Sequence, residues 1–152
     1  MTRLSPARLF AACAFVVTAG MLMTGPALAD KSDFPEYDLT KFKSTKSGLK
    51  YHIVKAGSDK KPAKTDTVVV HYHGMLPDGR VFDSSYDRGT TIEFPLDRVI
   101  PGWTEGLQLI GEGGQVQLVI PPDLAYGANG APGSIIGPNA TLHFNVELVK
   151  IK

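Results

Sequence analysis

The sequence predicts an α+β fold in which an antiparallel sheet packs on one short helix. Three segments after residue 48 alternate apolar and polar residues, which is typical of strands with one buried face, and a fourth is rich in β-branched residues. One segment near residue 101 instead repeats its apolar residues at helical spacing. This combination of elements is an α+β architecture. The 152 residues are enough for one domain and hardly for two.

Alternation predicts strands over residues 49–54, 115–120 and 142–149, and β-branched residues predict a further strand over residues 67–72. The sequence Pro77-Asp78-Gly79 lies between two apolar runs and is typical of a hairpin turn. Since successive strand residues point to opposite sides, each alternating strand presents one apolar face. We therefore expect an antiparallel sheet with one buried face.

The helix is predicted to begin near Pro101, a residue that favours the first turn. Trp103, Leu107 and Ile110 follow at helical spacing and form one apolar stripe, and glycines follow the last of them. Gly106 weakens an isolated helix by ~1 kcal/mol relative to alanine, so packing must hold this helix. We expect it to fill the concave face of a strongly bent sheet.

The first 29 residues have the layout of a secretory signal peptide. Arg3 and Arg8 precede a mostly apolar run over residues 9–23, and Ala27-Leu28-Ala29 supplies small residues for cleavage. The run is short for a membrane span, which takes ~20 apolar residues, so an uncleaved anchor is the alternative reading. We expect cleavage after residue 29 and a periplasmic or secreted mature protein.

Composition excludes several classes of protein. There are 16 basic and 15 acidic residues, a net charge of +1, whereas nucleic-acid binding calls for a basic face. We therefore expect no nucleic-acid partner. The one cysteine, Cys13, lies in the predicted signal peptide, so the mature chain has no disulfide and no cysteine-rich zinc site.

Residues 30–46 are polar and are predicted to form a short arm before a domain that spans residues 47–152. Eight lysines lie between Lys41 and Lys64. A solvated face is the simpler interpretation of these lysines. A docking patch for an acidic partner or an anionic lipid is the alternative.

A long irregular loop is predicted over residues 121–140, which contain four prolines and four glycines. Irregular segments of this length inside compact domains are usually functional. Ile135 and Ile136 lie in this loop, and apolar residues on an exposed loop indicate contact with an apolar ligand.

Aromatic residues from several predicted elements form the main candidate site. A carboxylate, Asp83, follows one of them, and burying it unpaired would be costly, so we expect Arg88 to pair with it. An ordinary core is the alternative interpretation for any single member of the set. The aromatic residues are Tyr72, Phe82, Phe94, Trp103, Tyr126 and Phe144.

Other chemistries find little support. The mature chain has no cysteine nucleophile, no G-x-S-x-G elbow and no phosphate-binding glycine loop. His71 and His73 lie two apart on a predicted strand and face one side, so with His143 they could hold a metal. Outward-facing strand residues are the simpler interpretation, and we expect neither a metal nor a cofactor.

Four segments resemble the FKBP-type peptidyl-prolyl cis-trans isomerases and occur in the order typical of that family. They are residues 70–85, 99–107, 124–127 and 140–148. The resemblance covers about residues 45–152. It implies the half-barrel fold of the family, a curved antiparallel sheet wrapped around one short α-helix with the active site between them.

The resemblance also implies roles for individual residues. Trp103 corresponds to the floor of the proline pocket, and the Ile100 N–H to a donor for a substrate carbonyl. Asp83 and Tyr126 are the polar groups at the rim, and they form the catalytic set with Tyr72 and Phe144. The whole binding set for substrate or macrolide is Tyr72, Phe82, Asp83, Val99, Ile100, Trp103, Tyr126, Ile135, Ile136 and Phe144.

The function implied is acceleration of X–Pro bond rotation during the folding of exported proteins, by a non-covalent mechanism. Implied partners are proline-containing unfolded or folding polypeptides, and macrolide inhibitors of the tacrolimus and rapamycin type. Residues 30–45 are too short for the helical dimerisation arm of related periplasmic members, so we expect a monomer. A chaperone or binding module with the same fold and little catalysis is the alternative.

Overall fold

The computed structural model describes residues 33–152. The predicted signal peptide and the first residues of the predicted arm lie outside this range. Within it, no helix is long and apolar enough to cross a membrane. Seven strands form one sheet: β1 (Lys43–Ser44), β2 (Lys50–Lys55), β3 (Thr67–Met75), β4 (Val81–Ser84), β5 (Ile92–Pro95), β6 (Gly114–Ile120) and β7 (Leu142–Ile151).

The sheet is open and all its pairings are antiparallel, in the order β1-β2-β6-β7-β3-β4. Strand β5 lies beside the first half of β3, on the edge that β4 occupies further along. All four predicted strands are present, and the structure adds the short strands β1, β4 and β5. The predicted α+β class is confirmed.

Among the described residues, two α-helices accompany the sheet. The helix α2 (Pro101–Leu107) is the predicted one, but it ends one turn earlier than the apolar stripe indicated. Ile110 is nevertheless fully buried, because the chain after the helix continues into the core. The second helix, α1 (Ser85–Arg88), is a single turn that the sequence analysis did not predict.

Glycine lets α2 lie directly on the sheet. A side chain at Gly106 would come within 2.7 Å of Leu118 on β6, and one at Gly102 within 2.4 Å of Ile120. Both neighbours are fully buried. Close packing on β6 thus explains why a residue that weakens isolated helices occurs inside this one.

The sheet has two faces, set by the register of its strands. The helix face, toward α2, carries apolar residues in register, such as Tyr72, Val146 and Val116. The other we call the arm face, because residues 33–42 lie against it. A row of polar residues crosses four strands on the arm face: His73, Asn145, Gln117 and His52.

The arm makes specific contacts with this polar row. The Gln117 side chain donates to the Pro35 carbonyl at 2.6 Å and to Asn145 at 3.2 Å. The Tyr37 ring stacks on His143 with 4.8 Å between centroids, and Phe34 is buried. The described part of the predicted arm is therefore packed on the sheet.

Candidate functional site

A cavity of about 660 Å³ opens between the helix face of the sheet, α2 and the loop after β6. Its lining is mainly apolar and aromatic, with a few polar side chains, as is usual for sites that bind small apolar groups. The lining residues are Tyr72, Phe82, Asp83, Phe94, Arg98, Val99, Ile100, Trp103, Tyr126, Ala131, Ser134, Ile136 and Phe144.

Trp103 connects the aromatic walls of this cavity. Its ring meets Tyr72 and Phe144 edge-to-face, each at 5.2 Å between centroids, and Phe94 at 5.9 Å. Edge-to-face contacts add about 0.5–1.5 kcal/mol per pair beyond simple burial. The indole N–H is buried and finds no acceptor among the described residues, which is unusual for a buried donor.

A register shift explains why neighbouring residues of β4 both reach the cavity. Side chains of consecutive strand residues normally point to opposite faces. The pairing of β3 with β4 shifts between Gly74 and Met75, and Phe82 and Asp83 both line the cavity. Gly74 is required here, because a side chain there would come within 2.6 Å of the Phe82 ring.

Asp83 is held by hydrogen bonds from two neighbouring side chains. Its two carboxylate oxygens accept hydrogen bonds from the Tyr72 hydroxyl and the Arg88 guanidinium, as the sequence analysis expected for Arg88. Arg88 also donates to the Tyr72 hydroxyl oxygen at 3.1 Å. The three side chains therefore form one closed network at the cavity rim.

This network fixes the protonation states of the rim. Burial raises the pKa of Asp83, but hydrogen bonds from Tyr72 and Arg88 and the Arg88 charge outweigh it, so the net pKa is lowered. Burial, and then the bond to Asp83, raises the pKa of Tyr72 to about 12. At neutral pH the rim thus holds an ionised carboxylate and a neutral phenol.

The backbone of Tyr72 is held by a side chain where a strand partner is missing. The pairing of β5 with β3 ends at Val70 and that of β4 begins at His73, which leaves a gap between them. The buried Ser85 hydroxyl lies in this gap, 2.7 Å from the Tyr72 nitrogen and 3.2 Å from its carbonyl oxygen. The first residue of α1 therefore positions Tyr72.

The opposite part of the rim presents groups that are free to bind a ligand. Ile100 caps α2, and its N–H meets no acceptor among the described residues. Tyr126 lines the cavity and is 43% exposed, and its hydroxyl makes no hydrogen bond with a described residue. Both groups can donate a hydrogen bond to a carbonyl oxygen in the cavity.

The structure brings nine of the ten predicted binding residues to the cavity, and Ile135 is the exception. Its side chain is 46% exposed and does not line the cavity, whereas the neighbouring Ile136 is buried and does. The Ile136 carbonyl accepts from the Ala131 N–H, so the loop folds back on itself at this point. Of the isoleucine pair, only Ile136 therefore faces the cavity.

Four lining residues were absent from the predicted binding set. Phe94 belonged to the aromatic set but was not assigned to a wall of the pocket. Arg98 directly precedes Val99, and this position beside a predicted binding residue was a sequence signal for it. Ala131 and Ser134 lie in the long loop, whose path alternation cannot predict.

His71 and His143, two of the three histidines considered as metal ligands, have other contacts. The ring of His71 stacks on Tyr86 at 4.6 Å and bonds to the Ser85 hydroxyl at 2.8 Å, and His143 stacks on Tyr37. Burial lowers the pKa of both His71 and His143. Across residues 33–152, no group of three or more His, Cys, Asp or Glu side chains is placed to hold a metal ion.

An open antiparallel sheet with an aromatic cavity over one short helix defines a class of protein with space for a compact apolar group beneath a polar rim. The family model for FKBP-type peptidyl-prolyl cis-trans isomerase matches residues 58–149. The chain therefore belongs to the FKBP-type peptidyl-prolyl cis-trans isomerase family, as the resemblance indicated.

Individual relatives agree with this assignment. The chain is 56% identical over 110 residues to the FKBP-type peptidyl-prolyl cis-trans isomerase FkpA of Escherichia coli K12, which is 72% of this chain and 40% of that protein. It thus spans about two fifths of the length of this relative.

Solved structures confirm the predicted FKBP-like fold. The crystal structure of FkpA from Escherichia coli superposes with a TM-score of 0.71 at 54% identity, over 74% of this chain and 52% of that one. A peptidyl-prolyl cis-trans isomerase from Pseudomonas syringae pv. tomato gives 0.68 at 39% identity, over 74% and 81%.

Proposed function

We propose that this protein is a peptidyl-prolyl cis-trans isomerase that acts on proline-containing polypeptides as they fold. The observation that carries the proposal is the aromatic cavity around Trp103, with an ionised Asp83 and free donors at its rim. Family membership and relatives that bear this name support it.

The reaction needs no nucleophile. The barrier to rotation about an X–Pro bond is ~18–20 kcal/mol, because the planar amide is stabilised by resonance. Uncatalysed exchange takes tens to hundreds of seconds. Rotation makes the amide less polar, and water stabilises the planar form more than the twisted one. A dry aromatic cavity withholds that solvation and lowers the barrier.

Different residues of the cavity have different roles in this reaction. Trp103, Phe144 and Phe82 surround the pyrrolidine ring and exclude water. The Ile100 N–H and the Tyr126 hydroxyl are donors, so they bind carbonyl oxygens on either side of the rotating bond. Asp83 is ionised and accepts only, so it suits a substrate N–H or the positive end of the amide dipole.

The proposal is tested by cis/trans exchange of a short Leu-Pro peptide, followed by NMR with and without the purified protein. We expect acceleration, and a macrolide of the tacrolimus type should abolish it by filling the cavity. Asp83→Ala should lower kcat/KM about tenfold, which corresponds to roughly 1.4 kcal/mol of transition-state stabilisation. No acceleration by the folded protein would overturn the proposal.

Asp78→Ala is the matched control for Asp83→Ala. Asp78 is an exposed aspartate that pairs with Arg80 in the turn after β3 and does not line the cavity. We expect kcat/KM of this variant to stay within about twofold of wild type. Equal losses in both variants would show that the effect of Asp83→Ala is not specific to the rim.

A chaperone with little catalysis is the alternative function, and it makes a distinct prediction. If aggregation suppression were the main activity, Asp83→Ala would suppress aggregation of a reduced, unfolded test protein as well as wild type does. Light scattering of that protein during refolding measures this activity.

We further propose that the protein is exported and monomeric. Sequencing the N-terminus of the processed protein tests export, and sedimentation equilibrium tests the monomeric state.

A further inference from the structure

Arg98 is a charged residue of the cavity wall that lacks a charged partner. It ends the 3₁₀ turn Leu96–Arg98, immediately before Val99, and both Arg98 and Val99 line the cavity. The residue is exposed, and it forms no ion pair with any residue in the range 33–152. Its guanidinium therefore remains available to a ligand.

The other charges at the cavity compensate each other. Asp83 lines the cavity, and its carboxylate is bonded to Arg88, so this pair contributes no net charge to the rim. Asp97, the acidic residue next to Arg98 in the chain, lines a second groove of about 370 Å³ together with Glu105 and Lys64. The charge of Arg98 on the cavity wall is thus uncompensated.

An uncompensated positive charge can select only among substrate side chains. The pyrrolidine ring and the polypeptide backbone are common to all X–Pro substrates, so a contact between Arg98 and either of them would not distinguish one substrate from another. An extended chain advances ~3.3–3.6 Å per residue. When proline occupies the cavity, the adjacent residue of the substrate therefore passes the cavity wall, where an arginine side chain can reach it.

We propose that Arg98 gives the site a preference for polypeptides that carry an acidic side chain next to the proline. The inference rests on the proposed isomerase function and names its substrate class. An exposed guanidinium–carboxylate pair is a modest interaction, so we expect a preference of about two- to fivefold in kcat/KM. Salt screens such pairs, and the preference should shrink in 1 M salt.

The experiment measures NMR exchange for peptides with Glu or Gln directly before the proline, and for peptides with Glu or Gln directly after it. Each catalysed rate is divided by the uncatalysed rate of the same peptide, and the Glu/Gln ratio is formed within each protein variant. We expect wild type to favour Glu at one or both positions. Arg98→Gln should bring the ratio to about one, and Arg98→Glu should take it below one.

Arg80→Gln is the matched control, because Arg80 is an exposed arginine of the turn after β3 that does not line the cavity. It should keep the wild-type ratio. A wild-type ratio of one at both positions, or a ratio that Arg98→Gln leaves unchanged, would overturn the inference. The Leu-Pro peptide separates the two proposals: if wild type accelerates its exchange, the isomerase function stands even where the Glu preference fails.

Discussion

The two faces of the sheet are both covered, but they are covered by opposite means. The arm face is polar, and its side chains bond to one another and to the chain that crosses them, as Gln117 does to Pro35. The helix face is aromatic and encloses a cavity of about 660 Å³. Polarity therefore predicts which face is closed and which one can bind.

The difference has a physical reason. A buried polar group without a partner costs about 1–3 kcal/mol, so a polar face must be covered by groups that complete its hydrogen bonds. The carbon atoms of aromatic rings have no such requirement. The rings pack edge-to-face around Trp103 and leave space that a ligand of suitable shape can fill.

Trp103→Ala should have the largest effect, because Trp103 belongs to both the core and the cavity wall. Removing a buried tryptophan should lower the free energy of unfolding by about 3–5 kcal/mol, as measured by urea denaturation. It should also lower kcat/KM for the Leu-Pro peptide at least ~100-fold, which is about 2.7 kcal/mol.

Phe34→Ala provides the contrast on the arm face. Phe34 is also a buried aromatic residue, so we expect a loss of stability but no loss of kcat/KM in the folded protein. If Trp103→Ala does not fold, Trp103→Phe keeps a ring at the position and should fold with reduced activity. Wild-type activity in either Trp103 variant would contradict the role assigned to this residue.

Gln117→Leu should affect stability alone. The substitution leaves Asn145 and the Pro35 carbonyl without their donor, and we expect the free energy of unfolding to fall by about 1–3 kcal/mol. Activity should not change, because Gln117 lies on the face opposite the cavity. Urea denaturation and peptide exchange, measured on one sample, check both expectations.

Gln115→Leu is the control for this change. Gln115 lies two residues earlier on the same strand and the same face, is also buried, and makes no side-chain hydrogen bond with a described residue. Replacing Gln115 should lower the free energy of unfolding less than replacing Gln117 does. Equal losses would mean that the hydrogen bonds to the arm contribute nothing measurable to stability.

Acidification should have the smallest effect. It should lower the free energy of unfolding at a pH where activity is still unchanged. Burial lowers the pKa of His71 and His143 in the folded protein, so the unfolded chain binds more protons once the pH falls below about 6.5. The free energy of unfolding should therefore be lower at pH 5.5 than at pH 7.5. Urea midpoints at the two pH values measure the change.

His143→Phe tests this assignment, because it removes a titrating group and keeps a ring that can stack on Tyr37. The pH dependence of stability should become smaller in this variant. Activity should stay constant between pH 5.5 and 7.5, since the lowered pKa keeps Asp83 ionised throughout. A loss of kcat/KM in that interval would show that another group titrates at the site.

The sequence predicted those parts of the site whose positions follow from strand and helix periodicity. Trp103 and Phe144 lie where their spacing placed them, on α2 and on the helix face of β7. Asp83 and Arg88 were expected to pair because an unpaired buried carboxylate is costly, and they do. The resemblance to a family then supplied roles that periodicity cannot give.

Periodicity failed where the chain departs from regular pairing. The arm was predicted only as a short polar segment before the domain; its described part packs on the sheet, because Gln117 and His143 bind it. Ile135 was expected at the cavity, but the turn of its loop leaves it exposed. Arg98 adjoins the predicted binding residue Val99 in the sequence, but exposed arginines are common, and only the fold shows that this one lines the cavity.

The sequence by itself determined four of the seven described strands, the main helix, the apolar face of the sheet and the family. The elements and the apolar face follow from short-range patterns, because side-chain direction along a regular element repeats with a fixed period. The family was indicated by the resemblance of four segments and their order. The tertiary structure alone decided that Phe82 and Asp83 share one side, that Ser85 fills the gap beside Tyr72, and that Arg98 lies on the cavity wall. Each depends on a bulge, a gap or a turn, where the position of a side chain is set by distant segments packed against it.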